Sequence, residues 1–453
     1  MVIETTGGSS RPVVGYARVQ PSASTTPAAA AIFDLRQNGV LIAEAGVPGT
    51  TAIMSGRMYV EVNGPINTAV AFANPNDAPV TISFNFTDQN GNDFGQNTFQ
   101  LGAGTQTARF LTELPFRAPN FAGTFTFNSS APVGVVSLRT ALNEHGEFLV
   151  STQGVTPLPD ALSAGTVVMG HFAIGGGWAT ELILVNTSDA PGSGTVQFLN
   201  EGTATLPGTP ITLTANGQAG SSFTYFIRPH SSMKLEAAAS ANASTQVGSI
   251  RVTPDTGIAP AASAVFSFSQ NGVTVTRAAV QSQLPGVAFR TYVEVNSAGG
   301  VPGAIQTGIA ISNNSATPAT VNFELTALTG ANTGLTATVV VPASGHISKF
   351  VHELFPGLNL PFRGILRVSS ASSIVTVNLR MRYNERGDFM VTTIPVTNEA
   401  SPSTTAEVIF PQIADQGGYS TQFIFFSGVS GQNTTGTLRF FSQNGQPLSL
   451  ALR

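Results

Sequence analysis

Apolar and polar residues alternate over short runs along most of the chain, as in Ile82-Ser-Phe-Asn-Phe-Thr87 and Thr124-Phe-Thr-Phe127. A period of two predicts β-strands with one face buried. Gly, Pro, Asn, Asp and Ser punctuate the runs and supply turns. The clearest unit is Leu138 to Val150, LRTALNEHGEFLV, which returns at Leu379 to Val391 as LRMRYNERGDFMV, a spacing of 379 − 138 = 241. Each copy predicts strand, tight turn, strand, with Phe148 or Phe389 opening the return strand. Asn38-Gly39 and Asn271-Gly272 predict two more hairpins. Helical pattern is confined to Ala108–Leu114 and Ser348–Leu354, each followed closely by proline (Pro115, Pro356). Both are too short for autonomous helices and are expected to be one-turn crossings between sheets.

The repeat extends beyond the hairpin. Trp178-Ala-Thr-Glu-Leu-Ile-Leu-Val-Asn186 matches Tyr419-Ser-Thr-Gln-Phe-Ile-Phe-Phe-Ser427, again 241 apart (419 − 178). Inside this period lies a shorter one, marked by Thr68/Asn74, Thr180/Asn186, Thr307/Asn313 and Thr421/Ser427 in steps of 112, 127 and 114 residues. Two kinds of unit, B and C, alternate. Many short strands per unit predict an all-β protein of tandem antiparallel Ig-like sandwiches, about 112–127 residues each. The expected layout is 1–56, the back half of a split C sandwich; 57–158, a B sandwich; 165–286, a C sandwich; 288–398, a second B sandwich; and 405–453, the front half of a split sandwich.

The two halves share one template. Met1-Val-Ile-Glu4 aligns with Met233-Lys-Leu-Glu236, and Pro447-Leu-Ser-Leu450 with Pro210-Ile-Thr-Leu213. Together they make a C unit lacking only the counterpart of about Thr214 to Ser232. Each half alone would expose unpaired strand edges. Self-association through these halves, one chain's front half completing the next chain's back half, would build head-to-tail filaments. Pairing within one chain would close a compact ring instead. A fragment cut from a longer array would look the same in sequence.

Composition narrows the function. Charged residues are 10%, and 20 basic against 24 acidic side chains leave a net charge of −4. No basic face is available for nucleic acid. No apolar run approaches the ~18 residues a membrane helix needs, so no membrane insertion is expected. The chain has no Cys, which excludes disulfides and thiolate metal sites. Cysteine-free, lysine-poor composition fits a secreted or surface protein. The first residues show no basic or apolar leader pattern, so an exported protein would be a mature or trimmed form.

Candidate chemistry is sparse. The hairpin residues Arg139, Asn143, Glu144, Gly146 and Glu147, and Arg380, Asn384, Glu385, Gly387 and Asp388, carry paired acids. Two carboxylates could serve glycoside hydrolysis. The simpler reading is a turn whose acids pair with arginine or with turn backbone. Arg57, Tyr59 and Glu61 recur as Arg290, Tyr292 and Glu294, and share a strand face by period two. They could contact a ligand such as an extracellular glycan; an inter-domain salt bridge with a packing tyrosine is the plainer account. Trp178, after three glycines, and its counterpart Tyr419 could stack on a sugar ring, although apolar packing explains Ile66 and Ile305 at the matching B positions. Asp88-Gln-Asn-Gly-Asn-Asp93 faintly resembles a calcium loop, but an Asn-Gly hairpin accounts for it. His145, His171, His230, His346 and His352 show no metal spacing. No cofactor motif, Walker loop or nucleophile elbow occurs.

The pattern F-x-x-E-L, F-x-G-x-x-x-x-[NS]-S, L-R-x-x-x-N-E-x-G-[ED]-F and T-x-x-V runs from Phe110 to Val155 and from Phe350 to Val396. It resembles the Ig-like repeats of large, mostly uncharacterised secreted or cell-surface bacterial proteins. The resemblance implies export and tandem sandwiches, and carries over no catalytic residue. The expected function is therefore that of a non-enzymatic extracellular structural or adhesive repeat protein, assembling through its split domain. A carbohydrate-binding accessory module is the alternative, and a polysaccharide hydrolase built on the hairpin acids is a third.

Overall fold

The computed structural model describes residues 1–453 except 9, 23–24, 159–164 and 402–403. Each B domain is organised by one long strand, Phe121–Leu142 or Phe362–Tyr383. The front of Phe121–Leu142 pairs with Ile53–Val62 and Val80–Asp88; its back pairs with Ile66–Ala73 and Phe148–Gln153. A register shift between Asn128 and Val133 lets the strand bend from one layer into the other. Alternation then points Phe125 and Phe127 inward, onto Phe72, Phe84 and Phe86.

The C domain packs Val167–Ile174, Gln246–Pro254, Gly192–Leu199 and Phe223–Ile227 against a second sheet that contains Ser232–Ala238, Trp178–Val185, Ala261–Gln270 and Val273–Gln281. The all-β sandwich class expected from the alternation is the one observed, with open sheets and no barrel.

The recurrent Thr and Asn have a common structural cause. The hydroxyls of Thr68, Thr180, Thr307 and Thr421 bond backbone carbonyls of the preceding strand, at Glu61, Ala173, Glu294 and Ala414. Asn74, Asn186 and Asn313 each use Nδ2 to satisfy carbonyls on both sides of the following turn. These buried polar side chains supply partners that loop backbone would otherwise lack.

The two terminal halves form one sandwich within the chain. Val2–Glu4 and Ala28–Gln37 flank Tyr419–Phe426, with Val2 and Ala30 both opposite Ile424. In the facing sheet, Val13–Pro21 lies between Val408–Asp415 and Gly436–Ser442. Phe410, Phe423 and Phe425 fill the space between. Of the two pairings expected for the halves, the structure shows the one within a single chain, where the strand edges of the N-terminal half are paired by the C-terminal half. The helical expectation needs correction. Gln106–Phe110 and His346–Phe350 are strands, and among the described residues helix is confined to one turn, Val351–Leu354, within the second expected segment. Ladder bonds with Ala69–Ala73 and Gly308–Ser312 outweigh so short a helical pattern.

The four sandwiches close into a ring. Apolar clusters join first B to C (Tyr59, Ile183, Val265), C to second B (Phe172, Val377, Leu379), second B to split domain (Tyr292, Ile365, Ile424), and split domain to first B (Tyr16, Ala73, Ile409). At the centre the return strands of all four hairpins meet: Val40–Pro48, Phe148–Gln153, Val273–Gln281 and Phe389–Ile394. Threonines stitch them together. Thr152 Oγ1 donates to the Gly46 carbonyl at 2.7 Å, and Thr393 Oγ1 donates to the Ala279 carbonyl at 2.8 Å. Gly46 N–H donates to Thr392 Oγ1 at 2.8 Å. Its backbone runs so close that a Cβ there would sit 1.8 Å from the Thr393 carbonyl oxygen.

Candidate functional site

The two Arg-Tyr-Glu strips lie inside the ring. Arg57, Tyr59, Glu61, Arg290, Tyr292 and Glu294 are all buried. Arg57 Nη1 donates to the Asn186 carbonyl of the C domain at 3.1 Å. Arg290 Nη1 donates to the Ser427 and Val429 carbonyls of the split domain at 3.0 and 2.8 Å. The outward face of each B strand is thus the inner face of an interface, with Arg290 also bordering a cleft of about 850 Å³ between the split and second B domains. These hydrogen bonds are contacts of the inter-domain kind weighed above against a ligand role.

Each Glu of the strips anchors a buried ion network. Between first B and C, Glu61 binds Arg139 at 2.5 Å and Lys234 at 2.9 Å, while Glu181 binds Arg139 at 2.8 Å and Arg277 at 3.1 Å. Between second B and split domain, Arg380 bridges Glu44 and Glu294. Arg363 also binds Glu294, at 2.8 Å, and Arg382 lies 3.4 Å from Asp34. Burial alone would raise the Glu61 and Glu294 carboxyls, but Arg139 and Arg380 beside them hold both below the usual carboxylate range. Asp34 lacks so close a partner; burial and then the Glu44 charge push it up to about 7.

The two networks are related by the repeat, with charges exchanged. Glu44 stands where Arg277 stands in the other copy (277 − 44 = 233), and Gln422 where Glu181 stands (422 − 181 = 241). Individual charges differ between the copies, but in each network the buried carboxylates face buried cations, as burial requires.

The hairpin acids are clasps. The Glu144 carboxylate accepts from Thr274 N–H at 2.7 Å and Thr274 Oγ1 at 3.0 Å. Asn143 Nδ2 donates to the Thr274 carbonyl at 3.1 Å. In the second copy the Glu385 carboxylate accepts from Leu41 N–H at 2.8 Å and from Arg36 at 2.6 Å, and Asn384 Nδ2 donates to the Leu41 carbonyl at 2.9 Å. Each B hairpin thereby grips the start of a return strand in the neighbouring C-type domain. Arg386 then ties the two B hairpins together through Glu147 and Asp388. Gly146 and Gly387 take left-handed φ of 72° and 84° at the turns. Burial opposes ionisation of Glu385, but Arg36 and the Leu41 amide bring its carboxyl down to about 2. A carboxylate held so firmly ionised is a poor general acid at neutral pH.

Trp178 is half-buried, its ring 4.8 Å from Phe268 and 6.2 Å from Phe389. It borders a cleft of about 380 Å³ between the C and second B domains, lined also by His171, Phe266, Lys349 and Met381. Tyr419 packs into an apolar cluster with Leu35, Ile42 and Phe148. The structure therefore does not bring the two aromatics together. Asp88 accepts from Asn90 and Asn92 N–H at 2.8 and 2.9 Å and closes its own hairpin turn. No group of three or more His, Asp or Glu able to hold a metal occurs among the described residues.

One feature escapes sequence inspection. His171 Nδ1 and His346 Nε2 lie 3.1 Å apart, buried between the C and second B domains. At the matching interface between split and first B domains, Gln106 Nε2 donates to Gln412 Oε1 at 2.7 Å. The repeat spacing (412 − 171 = 241, 346 − 106 = 240) places each His opposite a Gln, and that column was the available signal. Burial pushes both imidazoles below their ordinary value.

No family model matches this chain, and no curated protein does. Among solved structures, Thermotoga maritima 1070 aligns at 11% identity over 25% of this chain and 96% of its own, with a TM-score of 0.21. The Corynebacterium diphtheriae major pilin SpaA aligns at 10% identity over 80% and 90%, TM-score 0.13. The Bacteroides ovatus protein SGBP-B, solved with a mixed-linkage heptasaccharide, aligns at 9% identity over 72% and 96%, TM-score 0.13. Scores this low carry no argument about function.

Among the described residues no helix is long and apolar enough to cross a membrane.

Proposed function

We propose that this chain is a non-enzymatic, extracellular structural or adhesive module whose four sandwiches act as one rigid block. One observation carries the reading: the polar groups that repeat between domains are spent on contacts between domains. Glu144 and Glu385 grip neighbouring strands, and Glu61 and Glu294 neutralise buried arginines. A net charge of −4 agrees with work away from nucleic acid.

The test joins particle shape with turnover. Negative-stain images over a concentration series should show compact, uniform particles, and a polysaccharide panel should show no hydrolysis. Hydrolysis that disappears in Glu144→Gln or Glu385→Gln would overturn the reading.

A second reading rests on the cleft beside Trp178. Its aromatic wall, with Lys349 and Glu353 at hand, suits a sugar ring. Glycan-array binding that is lost in Trp178→Ala would support it.

A further inference from the structure

Two clefts occupy matching places in the ring. One, of about 380 Å³, lies between the C and second B domains; the other, of about 310 Å³, lies between the split and first B domains. Gly308, Phe350 and Leu379 line the larger, and their counterparts Ala69, Phe110 and Leu138 line the smaller. His171 stands in the larger cleft where Gln412 stands in the smaller.

The aromatic rings sort differently around the two. Beside the smaller cleft, Phe148 meets Phe110 edge-on at 6.3 Å, and Tyr419 packs with Leu35 and Ile42. Beside the larger, Phe389 is the counterpart of Phe148, and it packs on Tyr383, Phe268 and Trp178 at 5.1, 5.8 and 6.2 Å. Two of those partners are leucines in the other copy, Leu142 for Tyr383 and Leu35 for Phe268. Phe350 stacks on His352 at 5.4 Å, where the other copy has Thr112. Such ring pairs hold side chains in place beyond what burial alone does. The larger cleft is thereby walled by Trp178, Phe266 and Phe389, whereas their counterparts Tyr419, Phe33 and Phe148 do not line the smaller one.

The larger cleft also holds a buried acceptor. His171 is 8% exposed, and its Nδ1 lies 3.1 Å from His346 Nε2. That leaves Nε2 of His171 as the nitrogen available to the cleft, with no partner among the described residues. Burial keeps both rings neutral. The Glu201 carboxylate, 3.7 Å from His346 Nδ1, draws the one proton of that ring to Nδ1. His346 Nε2 then accepts, His171 Nδ1 donates, and His171 Nε2 is a bare acceptor. A buried acceptor left unpaired is costly, so a ligand that brings a donor to it gains. Phe266, Leu379, Met381 and Val391, which make up much of the remaining lining, offer nothing to pair the several hydroxyls of a sugar.

We propose that the larger cleft binds a phenol, a small planar aromatic molecule with one ring-borne hydroxyl, its ring against Trp178 and Phe389 and its hydroxyl donating to His171 Nε2. The volume is at the small end of the roughly 300–1,000 Å³ of ligand pockets, which suits one ring or two fused ones. This goes beyond the structural role proposed above and does not depend on it. It gives the cleft a different occupant from the sugar of the second reading.

The chain has a single Trp, and it lies in the wall of this cleft, so its emission reports occupancy. The probes are p-cresol and p-xylene, which share a shape and differ in the donor. Titrated into the full chain, p-cresol should change the Trp178 emission with one-site saturation and shift the nitrogen resonance of His171 Nε2; p-xylene should leave that resonance where it is. In His171→Phe, checked for folding by circular dichroism, the ratio of p-cresol to p-xylene affinity should fall by about tenfold or more, because the acceptor is gone. If that variant does not fold, the Nε2 resonance of the unaltered chain decides. The proposal is overturned by unchanged Trp178 emission, by an unmoved Nε2 resonance under p-cresol, or by an unchanged affinity ratio in the folded variant. Displacement of p-cresol by a lower concentration of cellobiose would also overturn it, and would return the cleft to the sugar reading.

Discussion

Exchanging charges between the two buried networks tests whether they are one device built twice. Around Arg139, which is 2% exposed, stand Glu61, Glu181, Lys234 and Arg277. Arg277→Glu alone removes one cation and adds a carboxylate, leaving three acids around Arg139 and Lys234. Breaking a buried pair in this way should cost roughly 3–5 kcal/mol. Glu181→Gln alone removes an acid that both Arg139 and Arg277 use, and leaves a surplus of buried positive charge. The two changes together reproduce the pattern of the other interface, where Glu44 meets Arg380 and a glutamine occupies position 422. The double variant should therefore recover about 1–3 kcal/mol relative to the sum of the singles. Urea unfolding followed by fluorescence, with all four chains compared at one pH and salt concentration, gives the cycle directly. If the double loss equals the sum of the single losses within about 0.5 kcal/mol, these side chains do not share one field, and the repeat-based reading of the networks fails.

Acid should loosen the ring at one interface first. Buried His171 and His346 have lowered pKa values, so the stability they lend by staying neutral is present above the unfolded value near 6.5 and is lost as pH falls below it. Copying the Gln106–Gln412 pair with His171→Gln and His346→Gln should flatten the pH dependence of thermal unfolding between about pH 6.5 and 4.5, and an unchanged profile would count against the pair. The Glu385 clasp acts lower: with its carboxyl near 2 in the folded chain, its contribution is full above the unfolded value near 4.5 and fades as pH falls toward 2. Glu385→Gln should remove that part of the acid transition in a pH titration followed by circular dichroism. At the central junction, Gly46→Ala should cost roughly 1–3 kcal/mol in urea unfolding because the new Cβ would strike the Thr393 carbonyl, whereas the counterpart position 279 already carries Ala. A neutral Gly46→Ala would mean that the four return strands can separate without loss.

Much of this architecture was legible because strand alternation is local. The sequence pattern alone put Phe84, Phe86, Phe125 and Phe127 inside a sandwich, and Asn-Gly pairs placed two hairpins. The alignment of both termini to one C unit showed that the halves are complementary. Whether they meet in one chain or between two depends on the distance between residues some 420 positions apart (424 − 2 = 422), and no local pattern encodes that. Which domain the Arg57-Tyr59-Glu61 strip meets was hidden for a related reason. A polar face on an alternating strand ordinarily signals solvent, yet here it faces a second sandwich. Ala108-Arg-Phe110 looked helical because its short run of spaced apolar residues fits either period, and pairing with Ala69 to Ala71 decided the matter. His171 was passed over because a lone histidine carries no signal until its partner from another domain is known.

Closure of the ring through Val2–Glu4 and Tyr419–Phe426 has a consequence for how the chain comes into being. The N-terminal strands are made first, yet the partner for their ladder arrives only after more than 400 further residues have been synthesised (419 − 4 = 415). Until then Ala28–Gln37 offers one bare strand edge, and the apolar faces meant for Phe423 and Phe425 stand open. The first B, C and second B sandwiches can each condense as they emerge, but the last joint forms from contacts of the longest sequence separation in the molecule, the slowest kind to find. A newborn chain is therefore exposed to mispairing for as long as its own far end is unmade, and any holding factor should engage that first strand edge.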